Sequence, residues 1–175
     1  SAYHLPTNSL VPVTLRRIPE GGARLLAQAS SPGPSGPPVA PLLRARSASS
    51  GPSVPFRILD GSTTSGWIES APGNGQWEFV TLTLDAGLTL RTLQITPRLA
   101  QASAPQGVWL VGEESQVYVE LPETEVGVPL WVDLAEPIGG SCLSIVLDAS
   151  PGPHAGIAEL SAYSELDYSG GIETL

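Results

Sequence analysis

Few residues in this chain have the types and the spacing that catalysis requires. Its only histidines are His4, near the start, and His154, which stands between a proline and an alanine in a predicted loop. Nucleophilic catalysis needs a base held by a third group, and metal catalysis needs several converging ligands. The sequence shows no such arrangement, because the adjacent carboxylates Glu113 and Glu114 fall at a predicted hairpin tip, where solvated turn residues are expected. We therefore predict a protein that is not an enzyme.

The composition favours one all-β domain with additional segments. Of 175 residues, 41% are hydrophobic and only 14% are charged, while 19 glycines and 18 prolines supply many turns. A chain of this length can bury a substantial core, and frequent turns with few charged helical faces are typical of β-rich domains. Cys142 is the only cysteine, so we expect neither an internal disulfide nor a cysteine-based zinc site.

The uneven distribution of charge limits the possible partners. Before Asp60 there are six arginines and one acidic residue, whereas from Asp60 onward there are two arginines and sixteen acidic residues. Phosphate backbones are bound by clustered arginine and lysine, so we do not expect nucleic acid as a partner. No apolar run approaches the ~20 residues that a membrane-spanning helix requires.

Alternating apolar residues indicate where the strands lie. Short alternating stretches separated by turn signals are typical of a β-sandwich. The predicted strands are 42–50, 77–84, 88–95 with a bulge near Arg91, the hairpin 106–111 and 116–121, then 130–134, a central strand at 142–147 and a closing strand at 157–163. Residues 11–17 predict a strand, and 24–29 return as a second strand or a short helix. The resulting division is an N-terminal hairpin with a Pro/Gly/Ser-rich surface loop (1–41), a β-sandwich (42–166) and a C-terminal tail or linker (167–175).

Three short motifs have the order and spacing of a known family. They are Leu-Asp-Gly with a following tryptophan at 59–67, Gln-Trp at 76–77 and Glu-Leu-Ser-Ala-Tyr at 159–163. In the first, Gly61 permits the positive φ of a tight turn, and the Asp60 side chain can bond nearby amides. Over residues 42–166 the chain resembles the discoidin, or F5/8 type C, modules of the galactose-binding-like fold. The resemblance implies a jelly-roll-like antiparallel β-sandwich in which Trp67 and Trp77 are both buried.

The resemblance also implies a possible calcium site beside the Asp-Gly loop. Many members bind a structural Ca²⁺ there, and the matching positions in this chain are Asp60 and Glu159. However, Ser62 stands where an aspartate is frequent and Ser65 where a threonine is favoured. A hard cation needs several anionic oxygen ligands, so the missing carboxylate weakens the site. We therefore expect no cofactor and a metal-free loop capped by Asp60 and Glu159, with a structural Ca²⁺ as the alternative.

Members of this family bind sugars, phospholipid head groups or proteins through loops at one end of the sandwich. The corresponding loops here are residues 69–76, 97–106 and 148–156. Sugar recognition requires an exposed aromatic ring with planar polar groups nearby, which makes the candidate ligand-binding residues Asn74, Gln76, Trp131, Asp148 and His154. Members often carry an arginine in the strand that here spans 142–147, which has none. With an acidic body, membrane lipid and acidic sugars are not expected as ligands.

Two functions remain open at this point. The first is a non-catalytic binding or adhesion module of an extracytoplasmic protein, which engages a neutral glycan or a protein surface. The second is a structural domain that packs against other domains or subunits of a larger parent protein. An exposed tryptophan beside Asn74 or Asp148 would favour the first, and a large apolar patch without converging polar groups would favour the second.

Overall fold

The computed structural model describes residues 23–27, 43–51, 55–84, 89–113, 116–163 and 173–174, and within them the chain is all-β. The described strands are β1 (Ala23–Ala27), β2 (Arg44–Ala48), β3 (Trp67–Ile68), β4 (Phe79–Thr83), β5 (Thr89–Thr96), β6 (Gly107–Val111), β7 (Gln116–Glu120), β8 (Leu130–Gly139), β9 (Cys142–Leu147), β10 (Gly156–Ile157), β11 (Glu159–Tyr163) and β12 (Glu173–Thr174). A short 3-10 helix at Phe56–Leu59 precedes the Asp-Gly loop. No helix among the described residues is long and apolar enough to cross a membrane.

The strands form two five-stranded sheets that pack face to face. One sheet has the order β11-β5-β8-β1-β12, the other β2-β4-β9-β6-β7, and a small pair joins β10 to β3. All strand pairings are antiparallel. Buried aliphatic side chains from both sheets form one core, with Leu82 and Ile145 on one side and Leu93 and Val132 on the other. This is the predicted antiparallel β-sandwich.

The alternation of apolar residues along β4 correctly predicted which side chains face the core. In β4, Val80 and Leu82 point into the core, whereas Phe79 belongs to a separate cluster on the outer face of its sheet. The predicted bulge near Arg91 is confirmed, because the register between β5 and β8 shifts between Leu90 and Thr92. The apolar run of 142–147 is the central strand of its sheet, as predicted.

Parts of the predicted outer segments lie outside the described residues. These parts are the strand 11–17, the Pro-rich loop 30–41 and most of the tail 167–175. The described piece of the N-terminal segment, β1, lies between β8 and β12 in the first sheet. The domain boundaries at 41 and 166 therefore stay a prediction.

The two motif tryptophans behave differently. Trp67 is fully buried, and its indole N–H donates to the Ser50 carbonyl over 3.1 Å. The prediction that Trp77 is also buried is wrong, because 48% of its surface is exposed. Trp77 lies before the start of β4 with a left-handed φ of 73°, and its ring stacks on Trp109 in the outer-face cluster instead of entering the core.

Candidate functional site

The three loops at 69–76, 97–106 and 148–156 meet at one end of the sandwich. Backbone hydrogen bonds that join them run from Glu69 N–H to Ala155 O (2.9 Å), Ser150 N–H to Asn74 O (3.0 Å), Gln106 N–H to Ala149 O (2.9 Å) and Ser103 N–H to His154 O (3.1 Å). Loops that are connected by backbone hydrogen bonds hold their side chains in fixed positions, which is what a binding site requires.

A buried carboxylate reinforces the contact between the first and third loops. Glu69 is 1% exposed, and its two oxygens accept hydrogen bonds from the amides of Ala155 (3.1 Å) and Ala71 (2.7 Å). A buried charge is tolerated when hydrogen bonds satisfy it, so Glu69 acts as a clamp between the loops. Sequence reasoning missed this residue, although an acid directly after the apolar pair at 67–68 is an available signal.

Asp148 is the centre of the polar groups at this end. Its carboxylate is 8% exposed and accepts hydrogen bonds from the Tyr118 hydroxyl (2.7 Å), the Gln106 side-chain amide (3.0 Å) and the Gln76 side-chain amide (3.4 Å). The Ala149 amide donates to it as well, over 2.7 Å. One carboxylate therefore orients two planar amides and a phenol. Of these three side chains only Gln76 was predicted as a ligand residue, and Gln106 and Tyr118 were not.

The other predicted ligand residues are placed as follows. Asn74 is exposed, and its side-chain oxygen accepts the Gln76 backbone N–H over 3.2 Å, which shapes the turn before Trp77. His154 is exposed in the same loop as Asp148, with a left-handed φ of 58°. Trp131 belongs to β8 in the other sheet, where its backbone pairs with Gln94 and Leu26. The structure thus brings Asn74, Gln76 and Asp148 together but does not place Trp131 in these loops.

A cleft of about 490 Å³ opens between the second loop, the segment 121–124 and Pro151. Prolines at 97, 105, 122 and 151 form much of its wall, and Arg98, Gln106 and Glu123 supply polar groups. Arg98 is held in place because its Nη1 donates to the Thr124 carbonyl over 2.9 Å. Sequence reasoning did not single out Arg98, although it is one of only two arginines after Asp60.

The Asp-Gly loop is closed by hydrogen bonds. Asp60 accepts from the Ser62 amide (2.9 Å) and the Ser65 hydroxyl (2.7 Å), and Glu159 Oε1 accepts from the Gly61 amide (3.0 Å). Glu159 Oε2 is buried and has no hydrogen-bond partner.

The two carboxyl groups of this loop differ in pKa. Burial raises the pKa of Glu159 to about 8, and the neighbouring Asp60 adds to the increase, although the Gly61 amide opposes it. Burial also acts to raise the pKa of Asp60, but the hydrogen bonds from Ser62 and Ser65 outweigh it and lower that pKa overall. Glu159 is therefore held as the neutral acid at neutral pH.

This donor set does not fit a divalent cation well. Three of the four carboxylate oxygens already accept hydrogen bonds, which leaves only Glu159 Oε2 without a partner. Among the described residues, no three His, Cys, Asp or Glu side chains are grouped as a metal site would require. Calcium favours several anionic oxygens at once.

The fold matches solved structures at low sequence identity. The family 32 carbohydrate-binding module of Clostridium perfringens NanJ, in complex with galactose, is 20% identical, with a TM-score of 0.56 over 70% of this chain and 94% of that one. The C. perfringens module CpGH89CBM32-5, in complex with GalNAc-β-1,3-galactose, is 16% identical, with a TM-score of 0.57 over 73% and 99%. An F5/8 type C domain from Bacteroides fragilis is 18% identical, with a TM-score of 0.54 over 71% and 97%.

No protein-family model and no curated protein matches the chain. The structural matches confirm the predicted galactose-binding-like, discoidin-like fold.

Proposed function

We propose that this chain is a non-catalytic module that binds a neutral glycan in the cleft at the loop end of the sandwich. The observation that carries the proposal is the cleft itself, about 490 Å³ in volume and walled by loops that carry an arginine, a carboxylate and an amide. Volumes of this order are typical of small-molecule sites. Two solved structures with the same fold hold sugars, namely galactose and GalNAc-β-1,3-galactose.

The walls of the cleft suit sugar hydroxyls. Arg98 uses one donor on the Thr124 carbonyl, and its guanidinium has further N–H donors in a fixed fork. Gln106 donates its amide to Asp148 and retains a carbonyl oxygen as an acceptor, and Glu123 offers an exposed carboxylate. Planar groups of this kind can contact two neighbouring hydroxyls, while the proline rings face the C–H surface of the sugar.

Charge favours a neutral ligand. The chain carries a net charge of −9, and the cleft contains Glu123 beside its one arginine. An acidic sugar or an anionic lipid head group would meet repulsion from this surface.

The polar groups around Asp148 favour ligand binding over plain domain packing. Gln76, Gln106 and Tyr118 converge on that carboxylate. A large apolar patch without such convergence would instead favour domain packing. We propose, further, that the module works outside the cytoplasm, where glycans are displayed, and that its Asp-Gly loop needs no calcium.

An array of neutral glycans, followed by isothermal titration with the retained sugar, tests the proposal. We expect the wild-type protein to be retained and Arg98→Ala to weaken binding about tenfold or more, as loss of a hydrogen bond from a charged group predicts. Arg44→Ala is the matched control, because Arg44 is exposed in β2 away from the cleft. A folded wild-type protein that binds no neutral glycan would refute the proposal, and so would an Arg98→Ala variant with unchanged affinity.

A further inference from the structure

An aromatic surface covers part of the outer face of the second sheet. Phe79, Val146 and Trp109 lie side by side on β4, β9 and β6, with Tyr118 packed beside them on β7. Trp77 stacks on Trp109, with ring centroids 4.7 Å apart and planes 14° from parallel. Since 48% of Trp77 is nevertheless exposed, one part of its ring packs on the sheet and the rest faces solvent. We call Trp77, Trp109 and Tyr118 the aromatic face.

The backbone holds Trp77 in this position against its own preference. Its φ is 73°, in the left-handed region that bulky side chains rarely adopt. The conformation persists because the Trp77 N–H donates to the Leu147 carbonyl (2.9 Å) and the Glu78 N–H to the Gly75 carbonyl (3.1 Å). Strained residues that the surrounding structure enforces are concentrated at functional sites.

A second observation points to a ligand at the aromatic face. The indole N–H of Trp109 is buried and has no hydrogen-bond partner, although Trp109 is only 8% exposed. An indole N–H is a donor only, and buried ones usually find an acceptor. The aromatic face therefore contains an indole N–H donor for which the described structure supplies no acceptor.

Polar groups frame one side of the aromatic face. Tyr118 is tilted against Trp109, with centroids 5.0 Å apart, and its hydroxyl donates to Asp148. Its ring lies over Gly107, where a Cβ atom would come within 2.2 Å of the phenolic oxygen. Gln76 and Gln106 also donate to Asp148. A flat aromatic ring bordered by planar amides and a carboxylate has the chemistry that recognises a pyranose, which combines an apolar C–H face with hydroxyl edges.

Gln106 connects the cleft to the aromatic face. Gln106 lines the cleft and, through its side-chain amide, reaches the same Asp148 carboxylate as Tyr118. Gln106 also immediately precedes Gly107, the residue on which Tyr118 lies. A single ligand with more than one sugar unit can therefore touch both surfaces.

We propose that the aromatic face is a second contact surface for the glycan bound in the cleft, so that the module selects neutral oligosaccharides over single sugars. This inference rests on the proposed function. The unit beyond the cleft stacks its C–H face on Trp77, and its hydroxyls bond the side chains held by Asp148. The acidic charge of the chain excludes anionic units from this surface.

The test compares single sugars with oligosaccharides that contain them, by isothermal titration. The probes are galactose with GalNAc-β-1,3-galactose, glucose with cellotetraose, mannose with mannotetraose, and N-acetylglucosamine with chitotetraose. We expect the oligosaccharide of the recognised sugar to bind at least tenfold more tightly than its single unit. Trp77→Ala is expected to abolish that difference while single-sugar affinity stays unchanged.

Two further variants control for backbone strain at Trp77 and for the loss of an exposed apolar side chain elsewhere. Trp77→Asn removes the ring but tolerates a positive φ, so it should fold even if Trp77→Ala is strained, and it should bind like Trp77→Ala. Phe56→Ala is the matched control, because Phe56 is also a large exposed apolar side chain, 59% exposed, and it lies in the 3-10 helix. It should retain the preference for oligosaccharides.

The outcomes separate the two proposals. If the wild type binds both sizes equally, or if the Trp77 variants keep the preference, the second surface is refuted while binding in the cleft stands. Both proposals are supported if Arg98→Ala loses binding to single sugars and to oligosaccharides, while Trp77→Ala loses only the tighter binding of oligosaccharides. A wild type that binds none of these probes or other neutral glycans refutes the proposed function and this inference with it.

Discussion

Two buried glutamates at the residue scale show how identical side chains acquire different roles. Glu69 and Glu159 are 1% and 7% exposed. Both carboxylate oxygens of Glu69 accept hydrogen bonds from backbone amides. Only one oxygen of Glu159 accepts such a bond, and the other has no partner. Hydrogen bonds stabilise the charged form, and burial without them favours the neutral acid. The two sites should therefore respond oppositely to replacement by glutamine.

The pH dependence of folding tests this difference. The pKa of Glu159 rises from 4.5 to about 8 on folding. As the pH is raised, Glu159 therefore loses its proton in the unfolded state before it does so in the folded state. Stability from this group is fully present below pH 4.5 and is lost as the pH rises toward 8. Glu159→Gln mimics the neutral acid. We expect its free energy of unfolding, measured by urea denaturation, to lack this loss between pH 5 and 8.

Glu69→Gln is the control for that measurement. Its new NH₂ group would face a backbone N–H that now donates to a carboxylate oxygen. An unsatisfied buried donor costs roughly 1–3 kcal/mol, so the variant should lose stability. A Glu159→Gln variant that is destabilised equally at pH 5 and pH 8 would contradict the assignment of Glu159 as a neutral acid.

At the scale of elements, the pairing of the short strands β3 and β10 depends on how closely their backbones approach. Gly66 precedes β3, the two-residue strand that carries Trp67 into the core. A Cβ at this position would lie 2.2 Å from the Ile157 carbonyl oxygen and 2.7 Å from the Ala158 Cα. The pairing of β3 with β10 therefore depends on a residue without a side chain.

Gly66→Ala should separate β3 from β10 and displace Trp67. We expect a loss of roughly 1–3 kcal/mol or more in the free energy of unfolding, as for other overpacked sites. Gly61→Ala is the matched control, because nothing lies within 4 Å of its Cβ position and only its φ of 79° opposes alanine. That strain costs roughly 1–2 kcal/mol. The idea fails if Gly66→Ala proves less destabilising than Gly61→Ala in denaturant unfolding.

Elements were predictable from the sequence where the signal is local. The alternation of Val80 and Leu82 and the change of parity around Arg91 are visible within a few residues, and both were confirmed. Trp77 was not predictable in this way. The family resemblance predicted burial, and this was wrong because Trp77 precedes β4 with a left-handed φ and stacks on Trp109 at the outer face of the sheet.

The candidate site was less predictable because its contacts are distant in the chain. Tyr118 and Asp148 are 30 residues apart and meet only because β7 pairs with β6 and β6 with β9. Nothing in the alternation of one strand specifies its neighbours in the sheet. Composition predicted loops rich in proline and glycine, but not that the loop 97–106, the segment 121–124 and Pro151 would line a cleft that contains Arg98.

The response of the whole molecule to calcium tests how far the family resemblance extends. An ion bound with free metal about 100-fold above its dissociation constant would stabilise the fold by about 2.7 kcal/mol. For a domain of this size, each kcal/mol raises the melting temperature by about 2–4 °C. The hydrogen-bonded carboxylates Asp60 and Glu159 leave little capacity for such an ion. We therefore expect the melting temperatures in chelator and in millimolar Ca²⁺ to agree within about 2 °C. A rise of several degrees with Ca²⁺ that disappears in Asp60→Asn would show that the loop binds the metal after all.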